Sequence, residues 1–302
     1  MTPSDADIAA TQARLPAAFR APPAVRARRL AIRVAFAALF LWCLYDFEFF
    51  TLTFVDPETG AFAPHFSLAR IWEGIGRFGG VLAFMFPPKI WTTWSDWAPI
   101  LTGLAETVAM AFLGTLLGAL VAFPIAWLGA KNINRLNLLR LFTRRGYDVI
   151  RAVETLVLAL VFIRAFGLGP LAGVLAIATS EIGTFAKLFS EAIENTSERP
   201  VEGVRASGGG PLQTIRFATM PQVMPVILSI VLYNFESNVR SGTILGIVGA
   251  GGIGFLLSDR ISAYRWDEAW TIIFLIILMV YVIDWLSGLI RTRLIGRWEG
   301  VR

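Results

Sequence analysis

Apolar stretches long enough to carry a helix across the hydrocarbon of a bilayer, which takes about 20 residues, recur along this chain at about 33–55, 100–128, 149–166, 168–188, 223–247 and 269–290. The basic residues between them orient the bundle. Arg14, Arg20, Arg26, Arg28, Arg29 and Arg33 precede or open the first stretch, and Lys131, Arg135, Arg140, Arg144, Arg145 and Arg151 lie around the join of the second and third. The positive-inside rule makes those segments cytoplasmic. Alternation then puts the polar segment 189–221 and the C-terminal tail on the same side, with both termini cytoplasmic. The segments holding Asp56, Glu58, Asp259, Asp267 and Glu268 face outward.

Two further segments do not read as crossings. The first 30 or so residues are rich in Ala, Pro and Arg and lack helical periodicity, which predicts a disordered cytoplasmic arm over 1–32 and an uncleaved first span. From Phe66 to Phe86, Arg70, Glu73 and Arg77 oppose Leu68, Ile71, Trp72, Ile75 and Phe78 until Pro87 and Pro88 stop the run. That is the pattern of a helix lying in the outer interface, with a seventh crossing as the alternative. Trp91, Trp94 and Trp97 are belt residues ahead of the next span. The expected organisation is thus the arm at 1–32, a first transmembrane helix and outer interfacial helix over 33–98, and a core over 99–295 with a cytoplasmic loop at about 191–221. The fold class is an all-α membrane protein of about six transmembrane helices.

Composition supports the membrane reading and narrows the chemistry. The 302 residues are 56% hydrophobic and only 16% charged, with a mean hydropathy of +0.63, whereas soluble domains carry about 25% charged residues. One His and one Cys leave little room for metal centres, disulfides or Ser-His and Cys-His catalysis. Cys43 reads as a small apolar residue in the first span and His65 as solvated. The net charge of +5 reports topology and contact with anionic lipid, and no nucleic-acid partner is expected. No Gly-x-x-x-x-Gly-Lys-Ser/Thr sequence occurs, so energy from ATP must come from another subunit. An intramembrane enzyme would need a His-Glu-x-x-His or Gly-x-Ser-x-Gly motif, and neither is present. A secondary transporter would carry inverted repeats and proton-relay carboxylates, and no clear repeat is visible.

Ionisable residues inside spans are costly and mark candidate sites. Here they are Glu106, Glu154, Glu181, Glu236 and Arg240. Glu236 and Arg240 sit at the i, i+4 spacing of a helical ion pair, in the expected outer half of their span. Either Arg240 attracts an oxyanion in a translocation path or the pair locks helix packing. Glu181, with Ser180 and Thr184 nearby, is the next candidate for the path, and Glu106, Glu154 and Asp284 are expected to reach the interfaces. Gly249, Gly251, Gly252 and Gly254 match a dinucleotide fingerprint by letter, but no strand precedes them. They read as an outer gate loop, either presenting N–H groups to an anion or forming a flexible hairpin. Gly114/Gly118 and Gly242/Gly246 have the spacing for close helix packing.

The inner segment Glu202-Gly-Val-Arg-Ala-Ser-Gly208 through Met220-Pro221 predicts a helix, a glycine turn and a second helix. It resembles the EAA loop of ABC-transporter permeases, with Glu202, Gly208 and Pro221 at the family's spacing and Met220 in place of its Leu. Three more segments, Glu106–Gly118, Ala165–Gly173 and Asn238–Gly254, resemble the phosphonate-type permease subunit. That resemblance implies a type I importer permease of a bacterial inner membrane. It implies ATPase coupling through Glu202, Gly208, Met220 and Pro221, while the candidates for the path, Arg240, Glu236 and Glu181 with Asn238, rest on their polarity within the expected spans. It further implies a second permease copy, two cytoplasmic ATPases that bind ATP and Mg, and an extracytoplasmic binding protein delivering phosphonate or a related oxyanion.

Overall fold

The computed structural model describes residues 23–46, 51–55, 62–67, 69–85, 88–134 and 136–299. The chain divides into two units, Met1–Ala83 and Phe84–Arg302. In the first, helix α1 (Pro23–Asp46) is followed by an antiparallel hairpin, β1 (Thr51–Val55) with β2 (Phe62–Ser67), and by α2 (Ala69–Met85). The expected arm and first span differ from this. Helix begins at Pro23, the first 22 residues lie outside those described, and the apolar residues 51–55 form a strand. Asp56 and Glu58 also fall outside the described residues, and His65 pairs in the hairpin opposite Thr53. Helix α2 starts three residues later than the charge pattern suggested, because Phe66 and Ser67 belong to β2. Its Glu73 and Arg77 pair at 3.5 Å, and Trp72 and Phe78 are exposed.

The second unit is helical: α3 (Trp94–Gly129), α4 (Asn137–Ala152), α5 (Thr155–Phe166), α6 (Pro170–Glu194), α7 (Glu198–Ala206), α8 (Pro211–Ala250), α9 (Gly252–Ser262) and α10 (Trp266–Glu299). Among the described residues, four helices are long and apolar enough to cross a membrane: Trp94–Gly129, Pro170–Glu194, Pro211–Ala250 and Trp266–Arg293. The span expected at 149–166 is instead the end of amphipathic α4, a break at Val153 and Glu154, and the 12-residue α5. At 1.5 Å per residue α5 is about 18 Å long, short of a full hydrocarbon crossing.

A stripe of small residues decides how the bundle packs. Gly103, Thr107, Ala111, Gly114, Thr115, Gly118, Ala122, Ala126 and Gly129 are all buried on α3, and every third or fourth residue lies on one helical face. A Cβ at Gly114 would come within 2.7 Å of Ile177, and one at Gly118 within 2.6 Å of the Glu181 Cβ. Close backbone approach of α3 to α6 is the packing solution open to helices in lipid, where hydrophobicity alone does not drive association. Thr107 and Thr115 return their hydroxyl hydrogens to the carbonyls of Gly103 and Ala111, so polar side chains sit on this face at little cost.

Three apolar clusters line the bundle. One gathers Trp91, Ile100, Ile253, Leu257, Ala269 and Ile272; a second centres on Met110, Ala159, Ile177 and Leu245; the third, around Tyr147, Phe185, Phe189, Val223 and Ile227, closes the end where α3 and α6 finish.

Candidate functional site

The segment 195–221 forms a rigid bracket. Helix α7 ends with Gly208 in the left-handed region at φ +83. The Gly208 N–H donates to the Arg205 carbonyl and the Gly209 N–H to that of Val204, both at 2.9 Å. This pair of bonds is a Schellman ending, and its αL position is why glycine stands at 208. Gly210 then caps α8, its N–H donating to Gln213 Oε1, and Pro211 opens the helix where no N–H is needed. Gln222, the residue after Pro221, closes the bracket. Its Oε1 accepts the Ser197 N–H at 2.9 Å, and its Nε2 donates to the carbonyls of Ser197 and Ala218.

Within the bracket Glu202 is exposed on α7 with Arg205, while Met220 and Pro221 are half-buried in the continuous body of α8. A π-helical turn over Ile215–Thr219, with the Met220 N–H donating to the Ile215 carbonyl, absorbs Pro221. Gln222 is a residue the spacing argument missed, and a polar side chain directly after Pro221, ahead of the apolar run from Val223, was its signal.

At mid-length of α3 a polar cluster joins three helices. Asn238 Nδ2 on α8 donates to Thr115 Oγ1 at 3.0 Å and to Glu181 Oε1 on α6 at 2.8 Å. Glu181 and Asn238 are each 7% exposed, and Glu181 Oε2 has no hydrogen-bond partner. Both are enclosed within the chain, where they join helices. Converting Glu181 to Gln keeps the acceptor that Asn238 uses and is expected to change stability by no more than about 1 kcal/mol. Leu at the same position strands the Asn238 amide and is expected to cost about 1–3 kcal/mol. Thermal unfolding of both variants in nanodiscs measures the difference, and equal melting of the two would refute the latch.

Glu236 and Arg240 lie two residues to either side of Asn238, in the C-terminal half of α8. Arg240 meets Glu236 at 3.6 Å and Asp284 of α10 at 3.7 Å, and Arg291 of α10 meets Glu236 at 3.5 Å. Two cations and two carboxylates thus alternate between α8 and α10. Asp284 belongs to this network and not to the interface. The Arg240 side chain remains 48% exposed, so it can meet both α10 and whatever fills the adjoining space.

The glycine-rich turn is neither an exposed anion site nor a loose hairpin. Gly249, Gly252 and Gly254 are buried, and Gly249, Gly251 and Gly252 all have positive φ. The turn sits at the depth of Gly103 to Thr107, well inside α3. Irregular backbone at such depth survives only where protein satisfies it. Here the Gly252 N–H donates to Glu106 Oε2 at 3.3 Å, the Ile253 N–H to Thr107 Oγ1 at 2.9 Å, and the Gly249 carbonyl accepts from the Gly169 N–H. The anion at the start of α9 is the chain's own Glu106, where the helix dipole favours it. Glu106 is thus a structural partner of the glycine-rich turn, whereas Glu154 marks the break between α4 and α5.

At the end of the bundle that carries Trp91, Glu268 is 1% exposed and gathers three cations. Lys89 Nζ lies 2.7 Å and Arg260 Nε 3.0 Å from its carboxylate, and Arg265 also donates to it. No sequence signal singled out this cluster. No group of His, Cys, Asp or Glu able to hold a metal ion occurs among the described residues.

The family model described as "Binding-protein-dependent transport system inner membrane component" matches residues 114–297, which include the bracket, the polar cluster and the glycine turn. The chain belongs to this family. The permease is 42% identical over 216 residues to the phosphate-import permease protein PhnE of Mycolicibacterium smegmatis, a match covering 72% of this chain and 40% of that protein. It is 36% identical over 188 residues to the phosphite transport system permease protein PtxC of Stutzerimonas stutzeri, covering 62% and 68% respectively. Among solved structures, an inward-facing MetNI methionine ABC transporter aligns with a TM-score of 0.59 at 19% identity, over 67% of this chain and 99% of that one. That likeness gives the fold, a type I importer permease, and the all-helical reading of the core holds. The permease is a multi-pass membrane protein.

Proposed function

We propose that this permease is the membrane subunit of an ATP-driven importer for phosphonate or a related phosphorus oxyanion, with both termini cytoplasmic. The observation that carries the proposal is the bracket of α7 and the start of α8, which presents Glu202 on an exposed helix fixed at both ends to a membrane-spanning rod. Two cytoplasmic ATPase subunits, which bind ATP and Mg, dock on α7, and their approach moves α8 as a body. A second copy of the permease completes the path and an extracytoplasmic binding protein delivers the solute. The permease holds no cofactor and catalyses no reaction itself. The relatives named for phosphate and phosphite support the solute class, and the half-exposed Arg240 supplies a cation at membrane depth for such an anion.

Co-purification of the permease with its ATPase in detergent tests the docking role. The wild type is expected to hold the ATPase and Glu202→Arg to lose it by roughly tenfold or more, the scale of a reversed charge at an interface, with its own melting unchanged. A complex retained in full by Glu202→Arg would sink coupling through α7.

A further inference from the structure

We propose that the cleft between α4 and α6 is a binding site for the phosphate headgroup of an anionic phospholipid. The cleft encloses about 660 Å³ and is lined by Arg140, Arg144, Arg145 and Lys187 with the carboxylates of Asp148 and Glu191. The cations are not equivalent. Arg144 is held by Glu194 at 2.5 Å and by the Gly129 carbonyl, and Arg145 lies 3.6 Å from Asp148. Arg140 and Lys187 have no carboxylate within ion-pairing distance among the described residues, so a positive charge is left over where the two helices diverge. Tyr147 and Ser190, whose hydroxyls lie 3.3 Å apart, also line the cleft, and the Ser190 hydroxyl donates to the Lys187 carbonyl, which ties the Lys187 turn of α6 to α4. Arg140 and Lys187, cations without a carboxylate partner, form a site for a phosphate monoanion.

The choice of a lipid over a soluble anion comes from α4 itself. Leu141 lines the same cleft and is half-exposed, and Leu138 and Phe142 beside it on the helix are exposed at 72% and 73%. Basic and apolar positions alternate along α4, so the helix has the composition of one lying at a membrane surface. The cleft also sits at the end of the membrane-spanning part of α3, since Arg144 reaches the Gly129 carbonyl. A bound phosphate there leaves acyl chains against Leu138, Leu141 and Phe142. Basic pockets between membrane helices recognise headgroups in this manner. The proposal does not depend on the transported solute or on the ATPase.

The test is native mass spectrometry of the detergent-purified permease after delipidating washes, with phosphatidylglycerol, phosphatidylcholine and inorganic phosphate as probes. The wild type is expected to retain phosphatidylglycerol over phosphatidylcholine and to melt later with it, while inorganic phosphate gives no protection. Arg140→Gln combined with Lys187→Gln is expected to cut retention of phosphatidylglycerol roughly tenfold. Arg140→Lys with Lys187→Arg should keep it, which separates charge from folding. Removal of a distant charge, Arg164→Gln, should change nothing. Equal retention by the double Gln variant and the wild type would overturn the site. Equal protection by inorganic phosphate would overturn the lipid and assign the cleft to a soluble anion.

Discussion

Gly254→Ala is expected to leave no correctly folded permease in the membrane. A Cβ at this position would fall on the Thr243 carbonyl oxygen and within 3.0 Å of Gly246 Cα and the Ile247 nitrogen. These are backbone atoms of α8, so no rotamer change can make room. Overpacking a core with one methyl group costs about 1–3 kcal/mol when side chains can yield. Here α9 must separate from α8, which also pulls the Gly252 and Ile253 N–H groups away from Glu106 and Thr107. We therefore expect a loss of about 3 kcal/mol or more, adding the buried Ile253 bond and the part-buried Gly252 bond at about 1 kcal/mol each at most. Gly288→Ala is the control, because nothing lies within 4 Å of a Cβ there. Size-exclusion profiles and thermal unfolding in detergent report both variants, and a well-folded Gly254→Ala protein would show that the α8 to α9 contact has room to spare.

Glu268→Ala is expected to have the second-largest effect. The carboxylate is the shared counter-ion of Lys89, Arg260 and Arg265, which come from three different places: the segment before α3, α9, and the turn into α10. Removing one partner of a buried ion pair costs about 3–5 kcal/mol because the remaining charge is left uncompensated. The cations here are between 27% and 47% exposed, so water offsets part of that, and we expect about 2–3 kcal/mol. The segment containing Lys89 should loosen first. It is otherwise held to α10 by the Lys89 N–H to Asp267 carbonyl bond and the Thr271 hydroxyl on the Lys89 carbonyl. Hydrogen exchange at 88–93 measures this, and unchanged protection there in Glu268→Ala would refute the clamp.

The parts of the fold that were legible in the sequence are those set by local pattern. Apolar length placed α3, α6, α8 and α10, and the spacing of Gly114 and Gly118 marked the face of α3 that meets α6. Gly208 and Pro211 marked the turn after α7 because one requires a left-handed residue and the other tolerates a missing N–H. What was not legible depends on residues far apart in the chain. Glu268 looks like an ordinary solvated carboxylate until Lys89, 179 residues earlier, is brought beside it. The apolar run at 149–166 concealed a helix break, since Arg-rich α4 reaches into it and its face toward α6 is fixed by Tyr147 and Gly183. The glycine cluster announced a turn but not its depth, which is set by Glu106 and Thr107. Glu106 was discounted on its place in an expected span when an unsatisfied turn elsewhere was the better clue. The β1 and β2 hairpin lay in a stretch whose apolarity suggested the end of a transmembrane helix.

The contact between Glu106 and Gly252 also dictates an order of assembly. Its two ends are 146 residues apart, so at a synthesis rate of about 5–20 residues per second the α3 carboxylate is made on the order of ten seconds before the N–H it serves. Throughout that interval the Glu106 carboxylate lacks the N–H group that it accepts from in the finished fold. A chain that stops before α9 lacks both this bond and the one from the Ile253 N–H to Thr107, so the join of α3 to the glycine-rich turn is among the last contacts that synthesis makes available.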